Sequence, residues 1–143
     1  MKNCVRAVGV IGWVVFLTAT TVLACQFQCP DGGTPVARKE HLPSTNGCGT
    51  FGIKVGTEFH FEPCCDDHDL CYDTCGRGKA QHKQRCDERF GTCMLRYCQD
   101  SFGSSAERLK SCTGAANLFK MGTVGFGCGA YLTSQQSACQ CLS

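Results

Sequence analysis

Residues 64–75 read CCDDHDLCYDTC: four cysteines, four aspartates and one histidine within twelve residues. Such a stretch can be a disulfide knot, a metal site, or a catalytic centre fastened by its own cross-links. Pro63, just before it, suits the first turn of a helix, where its missing N–H would have no partner anyway. Asp66 and Asp67 early in that helix agree with its dipole. The spacing predicts a helix from Pro63 to Gly76, where GRG punctuates the chain. On that helix Cys64, Cys65, His68, Cys71, Tyr72 and Cys75 fall three or four residues apart, so His68 shares a face or an edge with cross-linking positions. Asp69 lies about 100° round from His68, close enough to line the same cleft while pointing elsewhere.

Downstream, a second helix is predicted from about Gln81 to Cys98, with Cys86, Phe90, Cys93, Met94 and Tyr97 along one face. The short glycine-containing turn between the two helices predicts antiparallel packing. If Cys71 pairs with Cys86, Asp87 arrives beside His68. A carboxylate there could accept one ring N–H and leave the other nitrogen free to take a proton. A third helix is predicted to begin near Ser104, whose pairing with Glu107 has the form of a capping box, with Leu109, Cys112, Ala116 and Phe119 on one side. MGTVGFGCGAYL at 121–132 is glycine-rich, lacks the ending of a phosphate-binding loop, and reads as a turn-rich connection. Upstream, residues 26–45 carry no sustained period and read as an irregular arm tied down through Cys25 and Cys29; NGCGTFG follows at 46–52.

Lys2 and Arg6 followed by the apolar run Val8–Leu17 read as a signal peptide over residues 1–24. A signal anchor, or a lipoprotein signal acylated on Cys25, are the alternatives. Of the 15 cysteines only Cys4 precedes Cys25, which leaves 14, an even number. That density exceeds the roughly 8–10 % that marks a disulfide scaffold and points to an oxidising compartment. Of the 14 basic residues, Lys2 and Arg6 leave with the signal while all 12 acidic ones remain, so the net formal charge of the rest is zero. No overall field attracts nucleic acid.

The cysteines could instead ligate zinc, although an exported chain with an even set more often forms disulfides. Asp66 and Asp73 read as a solvated acidic helix face. His41, His60 and His82 have no matching acid in sequence and read as exposed or structural. Arg77, Lys79, Lys83, Arg85, Arg89 and Arg96 read as a solvated basic face, with contact to phospholipid head groups as the alternative.

The run Cys64-Cys65-Asp66-Asp67-His68-Asp69-Leu70-Cys71-Tyr72 resembles the active-site helix of secreted phospholipases A2. Gly47-Cys48-Gly49-Thr50-Phe51-Gly52 resembles that family's calcium loop, although the family's usual Cys-Gly-x-Gly-Gly is not reproduced. Cys86-Asp87 resembles the start of its second long helix, and GCGAYLTSQQSACQC at 127–141 is similar to the group XII branch. The resemblance implies a mainly α, disulfide-rich domain in residues 25–143: two long antiparallel helices cross-linked by disulfides, a calcium loop and a third helix. It implies His68 as general base, Asp87 as its orienting carboxylate, Tyr72 as support for that network, and the Gly49 N–H as an oxyanion donor. It implies Ca²⁺ held by Asp69 and the carbonyls of Gly47, Gly49 and Phe51, and the pairs Cys48–Cys65, Cys64–Cys93 and Cys71–Cys86. The implied protein is a secreted monomer that acts on a phospholipid membrane surface or micelle and hydrolyses the sn-2 ester. A non-catalytic extracellular lipid- or receptor-binding protein on the same scaffold is the alternative.

Overall fold

The computed structural model describes residues 25–50, 53–54 and 58–142. The expected signal peptide, and Phe51 and Gly52 of the expected calcium loop, lie outside the described residues. The elements are β1 (Val36–Ala37), β2 (Gly49–Thr50), β3 (Ile53–Lys54), α1 (Glu62–Tyr72), α2 (His82–Phe102), α3 (Ala106–Phe126), α4 (Cys128–Ala138) and β4 (Cys139–Gln140). The chain is mainly helical and disulfide-rich, as the sequence predicts.

Helix α1 carries Pro63 in its first turn. It ends at Tyr72, four residues before the expected Gly76, for a reason that lies elsewhere in the chain. The buried Gln135 side chain donates from Nε2 to the carbonyls of Tyr72 and Thr74, at 2.7 and 2.8 Å, and its Oε1 accepts the Gly76 N–H at 2.7 Å. Carbonyls that would otherwise await further helical turns are thereby satisfied from α4.

Bridges Cys64–Cys93 and Cys71–Cys86 join α1 to α2. Residue numbers rise along one helix as they fall along the other, so the pair is antiparallel. The Cys98–Cys112 bridge and the Lys83–Thr123 hydrogen bond give α2 and α3 the same relation. Between the three helices lies a core in which Phe61, Met94, Cys98 and Cys112 are fully buried, beside Phe90 and Ala116. Helix α2 runs on to Phe102, whose ring packs edge-on against Phe59 at 5.6 Å and so extends the buried seam beyond the expected end at Cys98.

Two expectations fail at the C-terminal side. The extended residue before α3 is Ser105, not Ser104, which places Glu107 second in the helix rather than third; the Ser104–Glu107 capping box does not form, and Ser105 makes no side-chain cap. The glycine-rich segment 121–132 is helical rather than turn-rich. At Gly127 the N–H bonds Thr123 O at 3.0 Å and the carbonyl accepts Tyr131 N–H at 2.9 Å, so the hydrogen-bond ladder passes from α3 into α4. Bridges Cys25–Cys128 and Cys75–Cys139 fasten the two ends of α4.

The N-terminal arm is tied through both of its cysteines, by Cys25–Cys128 and Cys29–Cys141. The first of these leaves Cys25 no thiol to acylate. The arm is not wholly irregular: Val36 and Ala37 pair antiparallel with Gln140 and Cys139. All 14 cysteines from Cys25 onward form seven disulfides, three of them the pairs implied by the resemblance.

Gln135→Leu should destabilise the fold by about 2 kcal/mol or more, because two buried backbone groups, the Tyr72 carbonyl and the Gly76 N–H, lose their partner at roughly 1–3 kcal/mol each, and the partly buried Thr74 carbonyl loses its own. Guanidinium unfolding with the disulfides intact measures this; an unchanged midpoint would show that Gln135 does not hold the end of α1.

Candidate active site

Three of the expected site residues converge on one carboxylate. Asp87 follows Cys86, so the Cys71–Cys86 bridge delivers it to α1. His68 Nε2 lies 2.9 Å from Asp87 Oδ1, and the Tyr72 hydroxyl donates to the same oxygen at 2.7 Å. All three side chains are buried. The His68 ring stacks at 4.1 Å from Tyr72 and 4.6 Å from Phe90, which limits its rotation.

Burial pushes the Asp87 carboxyl up, but hydrogen bonds from His68, Lys83 and Tyr72 and the Lys83 charge outweigh it and hold the group below the usual carboxylate range. Burial, then the bond to Asp87, pushes the Tyr72 hydroxyl far above the ordinary tyrosine value, so it stays a donor. With an ionised carboxylate at Nε2, the neutral imidazole carries its proton there and presents a lone pair at Nδ1. No hydrogen bond to Nδ1 occurs among the described residues. His68 lines a groove of about 740 Å³ between α1 and α2, together with Phe90, Tyr97, the Cys64–Cys93 and Cys71–Cys86 bridges and charged residues of both signs, Arg85, Arg89, Glu88 and Asp67 among them.

Asp69 stands apart from this network and faces the loop. Its Oδ2 accepts the Asn46 N–H at 2.8 Å, and the Gly47 amide also bonds it. Burial nevertheless holds its carboxyl above the usual range, with the two amides and the charge of His68 opposing. The Cys48–Cys65 bridge pins the loop one helical turn before Asp69. Gly47 has φ +77°, a conformation open to glycine at little cost. Gly49 sits in the β2–β3 pair opposite Lys54. The hydrogen-bond partners of Asp69 are N–H donors, and a half-buried carboxylate is itself the kind of hard oxygen donor that suits Ca²⁺. The structure therefore brings Asp69 and Gly47 together, and Phe51 lies outside the described residues.

Several residues read from sequence as bland are not. Lys83, expected on a solvated face, is buried, with Nζ 2.7 Å from Asp87 Oδ2 and 2.8 Å from the Thr123 carbonyl. Its signal was present: Lys83, Asp87, Phe90 and Met94 follow one another at helical spacing along the buried seam. Asp73 is also buried, and His41 has it as an acid partner at 3.0 Å. Asp73 Oδ2 further accepts the Ser44 N–H at 2.9 Å, so Asp73 and Asp69 together hold the arm that leads into the loop.

His60 is exposed, as expected. His82 is half-buried and shares a hydrogen bond with the Tyr131 hydroxyl at 3.1 Å. Burial, with Arg85 and Lys79 nearby, lowers the His82 pKa, and burial pushes Tyr131 up to about 12. Cys71, His82 and Cys86 lie close enough together to hold a metal, but both sulfurs are spent on each other in a disulfide.

A family model described as Group XII secretory phospholipase A2 precursor matches residues 7–143. The chain is 36% identical over 124 residues to Group XIIA secretory phospholipase A2 of Homo sapiens, a match covering 82% of this chain and 63% of the relative. It is 37% identical over 124 residues to the Group XIIA protein of Mus musculus, covering 82% of this chain and 62% of the relative. It is 32% identical over 130 residues to the Group XIIB secretory phospholipase A2-like protein of Mus musculus, covering 82% and 64%. The chain thus spans a little under two thirds of the length of these relatives. No solved structure matches it. The family match takes in every described element, the His68–Asp87–Tyr72 cluster among them, and the chain belongs to the group XII secretory phospholipase A2 family.

Proposed function

We propose that the chain is a secreted, calcium-dependent phospholipase A2 that hydrolyses the sn-2 ester of glycerophospholipids to a fatty acid and a lysophospholipid. The observation that carries this reading is the buried His68–Asp87 pair, which fixes one ring nitrogen and leaves the other for proton transfer. His68 Nδ1 takes a proton from a water molecule as the water oxygen attacks the ester carbonyl. Asp87 stabilises the imidazolium that forms, with Tyr72 holding the same carboxylate oxygen. The proton then passes from Nδ1 to the leaving alkoxide as the carbonyl–oxygen bond breaks. No acyl-enzyme is needed. Asp69, with the carbonyls of Gly47, Gly49 and Phe51, would hold Ca²⁺, whose charge when bound offsets the negative charge on the carbonyl oxygen and orients the substrate phosphate. The Gly49 N–H is the companion oxyanion donor in this scheme.

Two observations support a lipid aggregate as substrate and an extracellular setting. Leu118, Met121, Val124 and Phe126 are exposed along the second half of α3, the part of that helix that reaches Lys83 through Thr123. They could engage a membrane surface or micelle in place of Trp13, which lies in the expected signal peptide. Seven disulfides suit an oxidising compartment, and no described helix is long and apolar enough to cross a membrane.

Fatty-acid release from phospholipid vesicles should appear with calcium and vanish with chelator, and His68→Gln should reduce it by about 10²–10⁴-fold. Absence of release in every lipid class tried, or full activity in His68→Gln, would sink the hydrolase reading and favour a binding role. Asp69→Asn separates metal binding from turnover. Calcium at about 100 times its Kd should stabilise the unaltered protein by about 2.7 kcal/mol. It should stabilise the variant hardly at all; equal thermal stabilisation of both would remove Asp69 as a ligand.

A further inference from the structure

We propose that Lys83 is a positioning residue for this reaction: it holds the second oxygen of Asp87 so that the first stays on His68, and it ties that carboxylate to the end of α3. The inference rests on the hydrolase reading above. Asp87 can turn about its Cβ–Cγ bond, and both catalytic partners bind the same atom, Oδ1, at 2.9 and 2.7 Å. A carboxylate gripped by one oxygen is free to swing. Lys83 Nζ, 2.7 Å from Oδ2, closes that freedom and sets the plane of the group.

Ion-pair stability alone does not account for the ammonium. It is buried, 5.8 Å from the centre of the Tyr72 ring, and a buried ion pair adds little net stability over a well-packed apolar pair. Its second partner is the Thr123 carbonyl in the last turn of α3, where the negative end of the helix dipole favours a cation. Four residues on, Gly127 lets the backbone pass Tyr72: a Cβ at that position would stand 2.9 Å from the Tyr72 hydroxyl and 2.4 Å from the Thr123 oxygen. Lys83 and Gly127 thus fit the end of α3 onto two of the three donors of Asp87, Lys83 itself and Tyr72, and the geometry of Asp87 on His68 depends on a residue that touches no substrate.

The test compares the unaltered protein with Lys83→Met, which donates nothing, and Lys83→Gln, whose amide can still reach Oδ2 without charge. Mass spectrometry first verifies that all seven bridges are formed. Two quantities are then read: kcat and KM on one vesicle composition, and the His68 Nε2 proton resonance in ¹⁵N-histidine-labelled protein. Lys83→Met should lower kcat about 10–100-fold, the usual cost of losing such an outer partner. KM should stay nearly constant, and the His68 resonance should shift or broaden. Lys83→Gln should recover part of both and stands in if the methionine variant does not fold. A folded variant without the ammonium that keeps the original kcat, or the original His68 resonance, overturns the proposal. Should the unaltered protein release no fatty acid, the hydrolase reading fails by itself and the resonance alone decides whether Lys83 positions Asp87 on His68.

Discussion

The bridge between Cys71 and Cys86 is the constraint on which the site depends. Cys71 lies one helical turn after His68, and Cys86 immediately precedes Asp87, so one covalent link sets the approach of the two side chains that must meet at 2.9 Å. Cys64–Cys93 fixes the same helix pair two turns further along and removes rotation about the first link. In the chain-entropy account, closing a loop of about 15 residues restricts the unfolded chain by about 3 kcal/mol. The larger gain is geometric: a proton-transfer pair on two separate helices loses its function if they slide, and paired bridges forbid sliding.

Within that frame two carboxylates meet opposite electrostatic fates. Burial raises both. At Asp87 the bonds from His68, Lys83 and Tyr72 prevail and the group remains an anion. At Asp69 two backbone amides, with the charge that His68 carries when protonated, do not suffice, and the carboxyl stays above its usual range. The first has its positive partners within the protein; the second is short of them, and a bound cation would supply the deficit. This contrast agrees with the different work proposed for the two acids.

The meeting of His68 and Asp87 was legible on the condition that Cys71 pairs with Cys86; that pairing, and the share of Tyr72 in the network, came from the resemblance to secreted phospholipases A2. Asp73 was not legible, and at Lys83 the helical spacing was outweighed by the expectation that a charged side chain on a helix is solvated; the packing of α3 over α2, and of the arm over α1, buries them. Gln135 was invisible for a simpler reason. Its partners lie 59 to 63 residues away, and nothing local marks one glutamine of α4 as the cap of α1.

The glycine-rich segment carries the same lesson further. Glycine in a helix interior costs about 1 kcal/mol relative to alanine, which favours the turn-rich reading. A Cβ at Gly122 or Gly125 would meet nothing within 4 Å, so no close contact at that atom requires glycine there. The fully or nearly fully buried residues of α3, Cys112 and Ala116, lie in its first half, and Leu118, Met121, Val124 and Phe126 stay exposed. What offsets the weak propensity of its second half must therefore come from its ends and its few anchors. These are the packing of Phe119 against the core, the Lys83 bond to Thr123, and the Cys25–Cys128 bridge just beyond Gly127. Lys83 then serves in both directions: it orients Asp87 from one side and holds the end of α3 in helical form from the other, so the helix that borders the site is stabilised by the same ammonium that the site requires.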